Sequence, residues 1–559
     1  MQAAPLRPSE RRPVAARPGA SRLDGYGWAA LALGVAYLAL TTAGALATGT
    51  SWDESEHRRY GELALDFYTS LGAERAATTD VMRFYGALHA LAGAAAERLL
   101  PFLHWSAARH LAAVAFGLVG FVFCVRSARL LAGPRAGFVA ALLLATTPRW
   151  TGDAMYNPID IPTAGAYAAA LFFLVRIAGA PGTAAWRDWI LFGATTGATL
   201  AVRTVGVLLP AQAALAFAAW ALCLPRPRLA TLRAQAARIL AGFALAMAVA
   251  AAVACALWPR LLVEPFAALG ASLAGTQSFP WDGTVLFRGQ NVSALELPRS
   301  YLPIWFALTT PVATMLGLAF GLGLALAAAL RGRLEREAVR RTGLVAFAVL
   351  FPLAYAVAAR ATLYDGIRHF LFVLPPLTAL AAAGWAAALE VARGRGRALR
   401  LALPLALAAC VVEPVVWYAR SHPHAYVYFN PLAGGLAKAS HRYESEYWGL
   451  SLRSAAEWLG ERRSASTGSE RAFVVGTNAP WHLLEPWLDA PASYRRVGIN
   501  KPSDMILVYH RFRPRLETGS AAPLHTEILV EDQVPFWEAY PGVLLGHSRL
   551  DELDSESAR

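Results

Sequence analysis

The feature that most constrains this chain is a series of apolar stretches, each near the roughly 20 residues needed to cross a bilayer. They fall at about 26–48, 107–125, 136–147, 162–180, 188–202, 204–223, 239–258, 301–330, 342–359, 370–391 and 401–419. About eleven crossings follow, with 136–147 and 188–202 the shortest. Charged residues make up 16% of the chain, against about 25% in an ordinary soluble domain. That shortfall excludes an ordinary cytosolic enzyme. The expected architecture is a polytopic α-helical membrane protein with about 11 transmembrane helices and a small C-terminal α/β domain. Residues 1–25 read as a disordered arm, 26–419 as the transmembrane domain with a long first loop at 49–105, and 420–559 as the C-terminal domain.

The net charge of +13 raises nucleic acid as a partner, but its placement argues against it. Lys438 and Lys501 are the only lysines, and most arginines sit in short loops between apolar stretches. One set is Arg7, Arg11, Arg12, Arg17 and Arg22; the next is Arg126, Arg129 and Arg135. Then come Arg226, Arg228, Arg233 and Arg238, followed by Arg331, Arg333, Arg336, Arg340 and Arg341, and last Arg393, Arg395, Arg397 and Arg400. With eleven spans these loops share one side, which the positive-inside rule makes cytoplasmic. The expected placement is a plasma (inner) membrane, multi-pass, with the N-terminus cytoplasmic and the C-terminus extracytoplasmic. Residues 1–25 are polar and Pro/Arg-rich, and the 26–48 stretch is too long for a secretory h-region, so an uncleaved first span is expected. Cys124, Cys223, Cys255 and Cys410 fall in different apolar stretches with no CxxC pair, which reads as small buried side chains.

The tail carries strand-like runs at Ala472–Gly476 and Met505–Tyr509 and a helix-like stretch at Leu452–Glu461. There is no internal repeat, phosphate loop or GxGxxG, and the Asn291-Val-Ser sequon is given no weight.

Three loops on the side opposite the arginines carry chemistry. The first opens Ser51-Trp52-Asp53-Glu54-Ser55-Glu56-His57-Arg58-Arg59-Tyr60. Adjacent acids just beyond a first span suit a general base and a metal or substrate ligand. The same residues also suit helix capping, because Ser51-x-x-Glu54 is a capping box. Tyr60, Leu63, Ala64, Phe67 and Leu71 then form the apolar stripe of an amphipathic helix expected to lie on the membrane surface. The second loop, Asp153-Ala-Met-Tyr-Asn157-Pro-Ile-Asp160-Ile-Pro162, returns two carboxylates to that side, although Asp160 equally suits the dipole of a following helix. In the third, Tyr364-Asp-Gly-Ile-Arg368-His369-Phe370, an Arg-His pair either binds phosphate or anchors a helix end. Trp281-Asp282-Gly283 adds aromatics able to stack on a sugar ring or to sit at the interface.

Together these motifs resemble the glycosyltransferase C superfamily, in a GT-C-like order over about 25–450. The nearest branch is family-39-like, which includes protein O-mannosyltransferases and lipid A aminoarabinose transferases. Asn157-Pro158-Ile159-Asp160-Ile161-Pro162 is similar to the Asn-Pro-Lys-Asp-Ile-Pro block of bacterial relatives, with Ile159 in place of the lysine. Arg368-His369-Phe370 and Tyr428-Phe429-Asn430 also fit that group. The resemblance implies transfer of a sugar from a polyprenyl-phosphate donor to a hydroxyl acceptor (lipid, glycan or protein) at the outer face, with inversion. It makes Asp53 the base. Glu54 would orient the acceptor or bind a divalent metal, the one cofactor suggested. Asp153 or Asp160 would support sugar or acceptor. Arg59, Arg368 and His369 would meet the donor phosphate, with Tyr60 beside them. The spacing from Asp53-Glu54 to Arg59-Tyr60 is looser than in the aminoarabinose transferases, so the substrate does not carry over.

The rival class is a transporter or flippase of a lipid-linked or anionic solute. It would place ionisable residues at mid-membrane, among repeats and broken helices. Here the acids cluster at the ends of spans, with Arg203 the main exception.

Overall fold

The computed structural model describes residues 23–222, 228–277, 281–465, 472–499, 501–511, 525–529 and 534–541. Most of the predicted arm, Cys223 and part of the tail lie outside the described residues. Among those described, nine helices are long and apolar enough to cross a membrane: Gly25–Ala47, Trp105–Ala145, Asp160–Gly179, Thr204–Leu222, Ala230–Ala256, Val312–Leu330, Arg336–Ala359, Arg368–Arg393 and Arg397–Ser421. The chain is a multi-pass helical membrane protein.

Two of the eleven expected stretches fall outside that nine for local reasons. The expected spans 107–125 and 136–147 share the element Trp105–Ala145, which breaks at Ala132 and Gly133 (φ 81°) before Pro134. A Cβ on Gly137 would lie 3.4 Å from the Val125 carbonyl oxygen. Twelve residues along one straight helix would separate them by about 18 Å, so the element is a hairpin of two antiparallel helices. The 188–202 stretch forms Trp186–Leu200, 15 residues, about 22 Å long. The 301–330 stretch is two helices, Tyr301–Thr309 and Val312–Leu330. Pro311 has no N–H to continue the ladder, and Thr310 before it takes extended φ/ψ.

Small residues let the helices close on each other. Cβ atoms on Gly193 and Gly197 would stand 2.3 and 2.5 Å from the carbonyl oxygens of Ala246 and Ala250, the small-xxx-small contact of membrane helix pairs. The Asp160–Gly179 helix runs through the middle and is almost wholly buried. Tyr26, Arg135, Glu390 and Arg393 gather on one face of the bundle, and Arg129 meets Asp24 there. The arginine-rich loops thus share a face in space as well as in sequence.

On the opposite face, helix Glu54–Thr69 forms where the apolar stripe places it. Tyr60, Ala64 and Phe67 are buried against Ala77, Ala87 and Ala90, so the stripe is spent inside the protein and not on a lipid surface. Leu71 follows the helix and is 95% exposed. A hairpin, β1 (Thr284–Phe287) and β2 (Gln290–Ser293), turns at Arg288 and Gly289, both with positive φ. Cys124 is buried, and Cys255 and Cys410 are half-buried.

The tail builds one five-stranded sheet from β3 (Phe473–Thr477), β4 (Tyr494–Val497), β5 (Met505–Tyr509), β6 (His525–Leu529) and β7 (Val534–Pro541). Its order is β4-β3-β5-β7-β6, with β3 parallel to β4 and β5, and β7 antiparallel to β5 and β6. Helix Leu452–Ala465 leads into it, as the sequence predicts.

Candidate active site

Asp53 and Glu54 are adjacent in the chain and opposite in fate. Glu54 is 1% exposed. Its Oε2 accepts from the Ser51 backbone N–H at 2.8 Å and from Ser51 Oγ at 3.2 Å. Its Oε1 accepts from Ser106 Oγ at 3.1 Å and lies 2.9 Å from His110 Nε2. This is the glutamate half of the predicted capping box. The serine half is missing, because the Glu54 N–H donates to the Ser51 carbonyl instead. Both Glu54 oxygens are thus committed inside the protein, which leaves no open side for an acceptor or a metal. Among the described residues no three His, Cys, Asp or Glu side chains come together as a metal site.

Capping by Glu54 releases Asp53. The Asp53 side chain makes no cap hydrogen bond and is 35% exposed. Its Oδ2 accepts from Arg368 Nη1 at 3.0 Å. Arg368 is buried, with its guanidinium 4.6 Å from the Trp448 ring centre and 4.7 Å from that of Tyr364. Its Nε faces Asp365 Oδ2 at 3.2 Å. Asp365 in turn accepts from Arg511 Nη2 at 2.9 Å. The turn at Asp365 and Gly366, both with positive φ, aims the Asp365 carboxylate back at Arg368. Burial pushes the Asp365 carboxyl up, and Arg511 and Arg368 oppose that shift.

Asn157 organises the second acidic loop. Its Nδ2 donates to Asp153 Oδ1 at 2.9 Å and to Asp160 Oδ2 at 3.2 Å, while its Oδ1 accepts from the Asp160 N–H at 2.8 Å. Asp160 also pairs with Arg203. Asp153 is 1% exposed and takes a second bond from the Tyr156 hydroxyl at 3.2 Å. Burial pushes its carboxyl up to about 7, with Asp160 adding to the shift and Asn157, Arg149 and Tyr156 opposing it. Asp153 is therefore a support for Asn157 and Asp160, not a surface that meets a sugar.

His369 stands edge-on to Tyr364 at 4.7 Å, within the electrostatic reach of both Arg368 and Arg203. Trp281 packs on the same Tyr364 ring at 4.3 Å. Asp160 reaches Arg368 electrostatically as well, so Asp53, Arg368, His369, Asp160 and Arg203 surround one region. Two expected members stand outside it. Arg59 pairs with Glu56 and Asp80 on an exposed surface. Tyr60 is buried and donates to the Tyr85 carbonyl at 3.0 Å. Both lie six and seven residues beyond Asp53, about 9–10 Å further along the helix axis, and each is engaged there by other partners.

Sequence reasoning missed Asp365, Arg203 and Arg511 as members. Asp365 lies in the Tyr364–Phe370 motif, with Arg368 three residues on as the signal. Arg203 stands out in the sequence only as a charge between two apolar stretches. Arg511 had no signal at all.

The family model described as dolichyl-phosphate-mannose-protein mannosyltransferase matches residues 98–253, a segment that holds Asp153, Asp160 and Arg203. The match bears out the resemblance to the glycosyltransferase C superfamily and its family-39-like branch. No curated protein matches the chain. Among solved structures, ArnT from Cupriavidus metallidurans bound to undecaprenyl phosphate is similar at 16% identity, over 94% of this chain and 100% of that one, with a TM-score of 0.48. The archaeal oligosaccharyltransferase AglB from Archaeoglobus fulgidus, in complex with an inhibitory peptide and a dolichol-phosphate, is similar at 13% identity, over 86% of this chain and 69% of that one, with a TM-score of 0.45.

Proposed function

We propose that this protein transfers a sugar from a polyprenyl-phosphate carrier to a hydroxyl acceptor at the outer face of a bacterial plasma membrane. The acceptor class is a lipid, glycan or protein. The observation that carries the reading is the state of Asp53, a partly exposed carboxylate freed from capping and held by a buried guanidinium. The matched family description, with its lipid-phosphate sugar, supports the donor class.

In this mechanism Asp53 takes the acceptor hydroxyl proton. The acceptor oxygen bonds to the anomeric carbon as the bond from that carbon to phosphate oxygen breaks, with inversion. The lipid phosphate keeps the electron pair. Arg368, with Arg203 and His369 across the same region, stabilises the charge that grows on it. Asp160, held by Asn157, orients the sugar or acceptor.

The test is Asp53→Asn in proteoliposomes supplied with a panel of undecaprenyl-phosphate sugars, reading release of undecaprenyl phosphate. Loss of a carboxylate base is expected to lower transfer by about 100-fold or more. Thermal stability should stay near wild type, since no cap bond is lost. Near-normal transfer would remove Asp53 from the mechanism. For orientation, a reporter active only in the cytoplasm, fused after Arg559, should be silent.

A further inference from the structure

We propose that the C-terminal sheet positions the base, and that Arg511 at the carboxyl end of β5 is the residue through which it does so. The proposal rests on the reading of Asp53 as the base.

Parallel strands present their connecting loops at their carboxyl ends, where α/β sheets usually offer residues to a site. Here that edge is turned onto the segment that carries Asp53. Arg511 lies two residues past β5, is 7% exposed, and places its guanidinium 4.7 Å from the ring centre of Trp52, the neighbour of Asp53. Other tail residues hold the same few positions. Trp487 Nε1 donates to Thr50 Oγ1 at 2.9 Å. The Trp52 N–H donates to the Trp448 carbonyl at 3.1 Å. His482 Nε2 meets the Trp52 carbonyl at 3.3 Å. Arg453 donates to the Leu46 carbonyl at 2.8 Å, at the end of the first span.

The second connection is electrostatic. Arg511, Asp365, Arg368 and Asp53 alternate in charge through contacts of 2.9, 3.2 and 3.0 Å. The first three are all more than nine-tenths buried, where charges couple strongly. Asp365 is shared by two cations. Arg511 donates to one of its oxygens, so Arg368 faces the other only as an ion pair through Nε and gives its Nη1 hydrogen bond to Asp53. Without Arg511, the two carboxylates compete for one guanidinium. Arg511 is thus a positioning residue that acts through Asp365 and Trp52.

A double-mutant cycle on the full-length protein tests this, using the undecaprenyl-phosphate sugar that the wild type turns over. Arg511→Ala is expected to lower turnover at saturating donor about tenfold, with the donor KM within about twofold, in line with contact couplings in buried networks. Arg511→Lys should keep part of the rate. Asp365→Asn added to Arg511→Ala should cost nothing further, or restore some rate, because the buried anion that Arg511 balanced is gone. If the losses of the two single variants multiply, or if Arg511→Ala works within twofold of wild type, the proposal falls. If Arg511→Ala does not fold, Arg511→Ala/Asp365→Asn decides. Failure of that variant to fold would make the role of Arg511 structural and would also overturn the proposal. Asp53→Asn assayed in parallel separates the two ideas: an inactive Asp53→Asn beside a fully active Arg511→Ala defeats only the positioning role.

Discussion

On one face of the bundle, Arg331, Arg333, Arg395 and Arg397 stand exposed to solvent. On the other, Arg109, Arg149, Arg368 and Arg511 are more than nine-tenths buried. Each member of the buried set meets named partners. Arg109 meets Glu97 and the His57 carbonyl. Arg149 donates to the Tyr447 hydroxyl at 3.0 Å between the rings of Trp305 and Phe429. Arg368 and Arg511 share Asp365. The difference teaches that one residue type serves two physical ends. In water a guanidinium costs little and marks which loops stay on one side. Out of water it stands only with built partners, and its field then acts on whatever carboxylate or phosphate comes near.

The sharpest way to break this comparison is at Arg368. Arg368→Ala leaves Asp365 and Asp53 short of their shared cation. Removing one partner from a buried pair costs about 3–5 kcal/mol, so folded yield and transfer should fall together. Arg368→Lys should fold but transfer at least about tenfold more slowly, because a single ammonium does not reproduce the fork that reaches two acids. A variant Arg368→Ala with the wild-type melting temperature would show that the buried set is no more structural than the exposed one.

Glu54→Gln gives the next largest effect and inverts the behaviour of Asp53. It puts an amide where several donors converge, which costs on the order of 1–3 kcal/mol, read as a lower melting temperature. Transfer per folded molecule should remain close to wild type. Loss of transfer without loss of stability would return Glu54 to the chemistry.

Asp153 gives a smaller effect that depends on pH. Its carboxyl, pushed up to about 7 in the folded protein, holds a proton that the unfolded chain has already released. Stability from this group is therefore complete below the ordinary aspartate range and is lost as pH rises toward 7. The melting temperature in detergent should fall more between pH 5 and pH 8 for the wild type than for Asp153→Asn. Equal slopes would show that Asp153 is ionised in the fold throughout.

The smallest effect belongs to the exposed set. Arg395→Gln and Arg397→Gln should change stability by less than about 0.5 kcal/mol and leave transfer unchanged. A transfer defect in either would carry the site across to the arginine-rich face.

Much of the architecture was legible in the chain because its causes are local. Apolar run length placed the nine long helices, and strand-like runs placed β3 and β5 almost to the residue. Finer breaks were also local, at Gly133-Pro134, which folds one long element into a hairpin, and at Pro311, which splits the 301–330 stretch. The site was legible only in outline. Asp53, Asp160, Arg368 and His369 do gather, since each sits at the end of an apolar stretch on one side. Arg59 and Tyr60 do not, because they lie about two turns further along the helix, where Glu56, Asp80 and the Tyr85 carbonyl hold them.

The sequence by itself determined that the chain crosses a membrane many times, that its arginines share a face, and that its acids stand at span ends on the other. These follow from apolar length and from the cost of charge in lipid, which act on each stretch separately. Packing alone settles which of two adjacent acids is free, that Asp365 and Arg203 complete the charged region, and that Arg511 arrives from the end of a strand 146 residues beyond Asp365. Those outcomes depend on which buried groups find partners. A carboxylate closed in by Ser51, Ser106 and His110 and a carboxylate left facing one guanidinium look alike in the chain, and differ only once distant residues are packed around them.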